Sequence, residues 1–277
     1  MGFYSRSTIT ELRERMSACL DDVVSWMKSN RLQLNAAKTE VLWCASSRRQ
    51  YQIPQVPVRV GENYVFPASS VRDLGIYLDS DASMKSHVSK TVSNCFAALR
   101  QIRSIRSSIP QQAVKSLVVS LVLSRLDYGC ATLAGLPAYL IDWLQSVPNT
   151  AARLLYLTRK YDHVTPLLRE LHWLKMCQRI EYNLAVLAYR CLSCPGPSNL
   201  CDGLQRLADF GARRRLCSTQ ALVVPSTRLT TIGDRTFPVA AARVWNSLPA
   251  HVSSSSSLLT FKRRLKTELF VRSYPTS

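Results

Sequence analysis

The chain has 277 residues, 47% of them hydrophobic, with a formal net charge of +18. That length suits one large domain or two small ones, and the apolar fraction excludes a chain disordered by composition. Apolar runs are short: Leu117–Leu123 is interrupted by Ser120 and falls far short of the roughly 18–20 residues that span a bilayer, so no transmembrane segment is expected.

Apolar residues at Ile9, Leu12, Met16, Leu20, Val23 and Met27 recur at helical spacing. They predict a helix over 8–29, capped by Ser7 or Thr10, with Glu11 and Glu14 suited to its first turn. A turn holding Lys38 follows, then a strand over 39–44. "SSRRQYQIP" reads as loop. Val56–Val60 and Tyr64–Phe66 flank "GEN" and read as a hairpin. "VRDLGIYLD", Val71–Asp79, alternates as a further strand, with Gly75 as a bulge or a point of close approach.

From Met84 the period turns helical. Helices are predicted over 84–105 and 110–128, the second with Pro110 in its first turn. Two more are predicted over 137–147 and 149–158, separated by Pro148, which has no N–H and kinks or splits a helix. Another starts with Thr165 as cap and Pro166 at the first position, and a longer one runs over 176–191. "CPGPSN" is a break, and "GARRRLCS" is basic and less regular. "FPVAAARVWNSLP" predicts one short helix. "SSSSS" at 253–257 reads as a polar linker or cap. A last amphipathic helix follows, with Leu258, Phe261, Leu265 and Leu269 on one side. Lys262, Arg263, Arg264 and Lys266 lie beside and opposite them. The expected fold class is α+β, predominantly α, with divisions at 1–83, 84–195 and 196–277.

The charge is unevenly placed. Residues 1–83 carry 10 Lys/Arg against 9 Asp/Glu, whereas 84–277 carry 26 against 9. An excess spread over a largely helical segment points to a polyanionic partner, nucleic acid first and an anionic membrane surface second. Nine cysteines is an odd number, with no signal-peptide core beside them, so free thiols in a reducing, intracellular setting are expected, nuclear or cytoplasmic and not secreted. Arg6 stands where an acylation signal wants Ser or Thr. Cys191, Cys194, Cys201 and Cys217 invite a zinc reading, yet no second CxxC or HxxxH completes the usual ligand spacing.

No phosphate-loop, dinucleotide, zinc-protease or nucleophile-elbow motif is present. Of the four histidines, His87, His163, His172 and His251, the two that flank "VTPLLREL", His163 and His172, read as helix-end or packing residues. A two-metal site needs converging carboxylates. Asp21 and Asp22 are adjacent in a helix, about 100° apart around its axis, and read as a solvated face. Asp79 and Asp81 read as the end of a strand and a cap for the helix after it. No metal site is expected.

Taken in order, the segments resemble one family. "WMKSNRLQLNAAKTEVLW" resembles the D motif of reverse transcriptases from LINE-type (non-LTR), Jockey-like retrotransposons. "VRDLGIYLDSDASMKSHV" resembles the E motif, or primer grip, that follows it. "SRLDYGCATLAGLP", "LQSVPNTAARL", "DHVTPLLRELHWLKMCQRIEY", "GDRTFPVAAARVWNSLP" and "FKRRLKTELF" look like the thumb and C-terminal region of the same proteins. Each piece is weak by itself; their order over about residue 8 to the C-terminus is specific.

The resemblance implies a partial right-hand palm over 1–83, a helical thumb or connector over 84–195 and a basic C-terminal region over 196–277. The parent activity is RNA-directed DNA synthesis with Mg²⁺. The family's metal-binding aspartates lie in the A motif and an Ala-Asp-Asp hairpin, both N-terminal to the D motif. This sequence starts after them, so no cofactor is expected in the chain and no polymerisation by it alone. By resemblance Lys38 is the D-motif lysine that protonates the pyrophosphate leaving group; the bland alternative is a lysine closing a turn. Leu74, Gly75 and Ile76 belong to the primer grip, where Gly75 lets the backbone approach the primer phosphates. Arg100, Arg103, Lys115 and Arg125 are the candidate duplex contacts of the thumb. Arg213, Arg214 and Arg215 form a further basic cluster, as do Lys262, Arg263, Arg264 and Lys266; for both, membrane-facing and solvated readings stay open. The implied partners are RNA and RNA–DNA or DNA duplex, held without sequence preference, together with an intact copy of the element's enzyme. The rival readings are a retained binding module without enzymatic work, and a translated relic with no role.

Overall fold

A computed structural model describes residues 9–193, 198–207, 220–227 and 230–275. The described residues are mostly helical with a few short strands, the expected α+β class with α predominant. The chain divides into two compact units, Met1–His87 and Val88–Ser277.

In the first unit, α1 (Ile9–Ser29) follows the predicted apolar spacing. Thr10 lies inside it and does not cap it; Ser7 lies outside the described residues. The helix ends where Arg31 takes a left-handed backbone, φ 56, and Leu32 N–H donates to the Met27 carbonyl at 2.8 Å, closing a Schellman-type stop. The strand predicted over 39–44 shrinks to β1 (Val41–Leu42). The hairpin around "GEN" forms from β2 (Val58–Val60) and β3 (Asn63–Val65), paired antiparallel with Val60 opposite Asn63. Gly61, at φ 60, makes the turn. β4 (Pro67–Ala68) pairs parallel with β1.

The helix α1 is tied to the β2 strand by polar contacts. Arg13 donates to the Pro57 carbonyl at 3.1 Å, and the Arg59 guanidinium forks onto both oxygens of Asp21. Asp21 is therefore a tether and not only a solvated face; its exposure and that of Arg59 keep the pair a modest contributor.

The single strand expected over 71–79 is a hairpin instead. β5 (Ser70–Asp73) and β6 (Ile76–Asp79) pair antiparallel, Asp73 opposite Ile76. Leu74 (φ 45) and Gly75 (φ 86) form the two-residue turn between them. Two positive φ values in succession are what a right-twisted hairpin requires, and a leucine is an unusual residue to take the first of them. Gly75 thus turns the chain and makes no bulge.

Asp79 ends β6 with its carboxylate accepting from the Ser86 N–H at 3.1 Å and from the Ser83 hydroxyl at 3.2 Å. This satisfies donors at the start of α2 (Lys85–Ile105), the capping role that "DSD" suggested. Burial works against the Asp81 charge, but the Ser83 hydroxyl and N–H hold its carboxyl below the ordinary range.

In the second unit the helix predicted over 110–128 is present but not uniform. Pro110 is the cap residue before α3 (Gln111–Val118); a π turn over Val119–Leu123 then leads into α4 (Ser124–Asp127). Within it the Ser124 hydroxyl donates to the Ser120 carbonyl, a side-chain bond that competes with the backbone ladder.

Pro148 does not split its helix. α5 (Ala138–Tyr156) runs through it without a break. Proline in a helix interior costs about 3 kcal/mol. Against that, Leu140, Leu144, Val147, Ala151, Ala152 and Leu155 are all buried, and each large aliphatic side chain so buried contributes about 1.5–3 kcal/mol. Leu157 then takes φ 55 and ends the helix.

After α6 (Thr165–Glu170) comes α7 (Met176–Ser193), then α8 (Ser198–Cys201), α9 (Thr230–Gly233), α10 (Phe237–Asn246), α11 (Ala250–Ser253) and α12 (Leu258–Ser273). Thr165 is the first residue of α6, with Val164 as its cap. Ser257 caps α12, accepting from Thr260 N–H at 3.2 Å. α7 packs on both α10 and α12, so 176–193 and 237–273 share one core. Its centre is aromatic: Phe261 stacks on Tyr189 at 4.4 Å, with Trp245 at 5.9 Å from Phe261. Tyr189 donates to the Ser255 carbonyl and Trp245 Nε1 to that of Gln220, each at 2.9 Å, so the buried polar ends are paired.

Candidate nucleic-acid interface

The second unit carries an open basic groove of about 1150 Å³. Its cations come from well-separated segments. Arg103 lies in the last turn of α2. Arg106 opens the 3₁₀ turn Arg106–Ser108 after it; three residues apart, the two share a face. Arg153 lies in the last turn of α5, and Lys160 in the segment beyond Leu157. Buried Val114, Leu154 and Leu155 supply the apolar floor. Among the described residues lining the groove there is no carboxylate.

The charges are partly anchored. Arg106 donates to the Leu155 carbonyl at 3.1 Å and Gln111 to the same oxygen at 3.5 Å, so the negative end of the α5 dipole meets donors. Arg153 donates to the Asp162 carbonyl at 3.2 Å. Its Nε, and the Thr158 hydroxyl beside it, have no hydrogen-bond partner. Arg103 and Lys160 are exposed. A concave surface with no lining carboxylate, two cations anchored on backbone carbonyls and two exposed ones, Arg103 and Lys160 (its ammonium 6.0 Å from the Tyr161 ring centre), suits a row of phosphates better than one small anion.

Of the thumb residues carried by the resemblance, Arg103 lines this groove. Arg100, Lys115 and Arg125 are exposed but do not line it; Arg125 donates to the Asn94 carbonyl at 3.4 Å. Lys266 faces a different cleft, near the Asp127–Arg179 ion pair. Arg263 and Arg264 are exposed, with Arg264 donating to the His251 carbonyl at 2.7 Å, and Lys262 is half-buried. Arg213, Arg214 and Arg215 lie outside the described residues. Sequence reading missed Arg106, Arg153 and Lys160, because no charge run marks them. The available trace was the concentration of cations at the ends of two predicted helices.

Lys38 and the hairpin tip belong to the first unit. Lys38 closes a 3₁₀ turn, its N–H donating to the Asn35 carbonyl at 3.0 Å, and its side chain is exposed. Leu74 is 83% exposed at the tip of its hairpin, with Gly75 beside it and Ile76 opening β6. The seven described cysteines are free thiols. Burial pushes Cys95 up to about 11 and Cys130 up to about 12, which makes them packing residues and not nucleophiles. Burial and the neighbouring Cys201 raise Cys191 to about 11; Cys194 and Cys217 lie outside the described residues. Among the described residues no group of three or more metal-ligating side chains converges, and no helix is long and apolar enough to cross a membrane.

No protein-family model, curated protein or solved structure matches the chain.

Proposed function

We propose that this chain is the C-terminal part of an RNA-directed DNA polymerase of a non-LTR retrotransposon, and that it holds template–primer duplex through the phosphate backbone. The observation that carries the binding reading is the groove: Arg103, Arg106, Arg153 and Lys160 on one concave surface with no lining carboxylate. The ordered motif resemblance supplies the family. In this reading the first unit is the remnant of the palm. The Leu74–Gly75 turn is the primer grip, whose tip places backbone without bulky packing at a protruding, accessible point. The helices of the second unit are thumb and connector. Lys38 is the D-motif lysine, exposed on its turn. When bound in the parent enzyme, Mg²⁺ supplies charge stabilisation to the transferred phosphoryl group; this chain contributes grip on the nucleic acid.

The groove is tested by replacing its two exposed cations, Arg103 and Lys160, one at a time. Arg103→Gln and Lys160→Gln should each weaken binding to an RNA–DNA hybrid equally for all sequences and flatten the salt dependence by about one unit of log–log slope. Unchanged slopes in both variants would refute the assignment. The purified polypeptide should incorporate no nucleotide on a primed RNA template with Mg²⁺. Metal-dependent extension above a no-enzyme control would refute that expectation.

A further inference from the structure

A second cleft, of about 700 Å³, lies in the same unit, formed by α6, the segment from His172 to Lys175 and the end of α12. Its size falls in the range of sites for small organic ligands, about 300–1,000 Å³. Three rings line it: His172 and Phe270 have centroids 5.4 Å apart, Phe270 and Tyr274 5.0 Å. Tyr274 is fixed by donating to the Trp173 carbonyl at 2.7 Å. Two basic side chains share the lining, exposed Arg169 and half-buried Lys175, whose ammonium sits 5.4 Å from the Tyr274 ring centre.

His172 takes its left-handed backbone, φ 54, as the stop of α6, with Trp173 N–H donating to the Leu168 carbonyl at 3.0 Å. Two further observations, on Ser273 and on the packing of α6, mark the cleft as more than a surface dent. Ser273 also lines it and is 2% exposed, with a hydroxyl that has no partner. α6, which brings Arg169 and the carboxylate of Glu170 to the cleft, packs on α5, whose last turn brings Arg153 and Tyr156 to the basic groove. The cleft and the groove are therefore lined from two helices that pack on each other.

We propose that this cleft takes one unpaired nucleotide at the end of a duplex held in the groove, its base against the His172 and Phe270 rings and its phosphate on Arg169 and Lys175. The assignment rests on the nucleic-acid reading above and adds a single-strand site to it. Ring faces accept any base, so the cleft distinguishes paired from unpaired ends and not one sequence from another.

Fluorescence anisotropy of the full chain with a blunt RNA–DNA hybrid, and with the same hybrid bearing a short unpaired tail, decides the matter. One stacked base is worth about 1–3 kcal/mol, so the tail should tighten binding about tenfold. His172→Asn removes the ring yet suits the left-handed backbone; it and Lys175→Gln should abolish the gain while leaving blunt-hybrid affinity and melting temperature unchanged. A gain below about twofold, or one that both variants retain, overturns the proposal. If the blunt hybrid does not bind, the duplex reading falls, and adenosine monophosphate judges the cleft alone. Saturable binding lost in His172→Asn sustains it, whereas no saturation, or equal binding of inorganic phosphate, overturns it.

Discussion

Raising salt from about 50 to about 200 mM is expected to weaken binding of an RNA–DNA hybrid about a hundredfold. The physical source is counterion release. Each phosphate neutralised by a groove cation frees about 0.9 of a condensed counterion, and the groove offers four such cations in Arg103, Arg106, Arg153 and Lys160. Four contacts give a log–log slope of about −3.6. Arg106 and Arg153 each spend one donor on a backbone carbonyl, but a guanidinium has five, so both keep their charge and further donors. The contacts are to backbone, so exchanging the hybrid's sequence should leave the affinity nearly unchanged. A slope shallower than about −1 would mean that the groove cations do not face phosphates.

Phe261→Ala is expected to cost about 4 kcal/mol, the scale for emptying a buried aromatic site. Phe261 is fully buried, stacked on Tyr189 and against Trp245, at the point where α7, α10 and α12 meet. The two neighbouring rings are pinned by hydrogen bonds from Tyr189 to Ser255 and from Trp245 to Gln220, so they cannot collapse into the space without giving up a buried pair. For a domain of this size the loss corresponds to a fall of about 8–16 °C in the melting temperature of the second unit. Leu259→Ala, two residues away on the same helix, is the control. Leu259 is 79% exposed, and its loss should change stability by no more than about 0.5 kcal/mol. Equal shifts in the two variants would place the core elsewhere.

Much of the fold was legible because its determinants are local. The helices α1, α2, α7 and α12 follow apolar spacing that a single face repeats, and the β2–β3 hairpin follows a glycine between two β-branched runs. Pro148 misled because the penalty it carries is local, whereas the burial of Leu144, Val147 and Ala151 around it depends on residues far along the chain. "VRDLGIYLD" misled because alternation continues through a two-residue hairpin turn: Asp73 and Ile76 stand opposite each other, and the pleat resumes in phase. Nothing local requires Leu74 to adopt a positive φ; the pairing of its flanks does.

The candidate site divides in the same way. Net charge and its concentration after residue 83 are properties of composition, and they already pointed to a polyanion. Which cations act together is not a property of composition. Arg103 and Arg106 come from one helix end, Arg153 and Lys160 from another some fifty positions later, and only the packing of α3 against α5 sets both ends around one groove. The exposed cations that sequence reading favoured, Arg100, Lys115 and Arg125, have the right charge and a different place. Sequence by itself determined how much charge the second unit carries and which stretches become helices, since both follow from residue identity and short-range spacing. Tertiary structure decided where that charge faces, because the direction of a side chain is set by how its helix is buried.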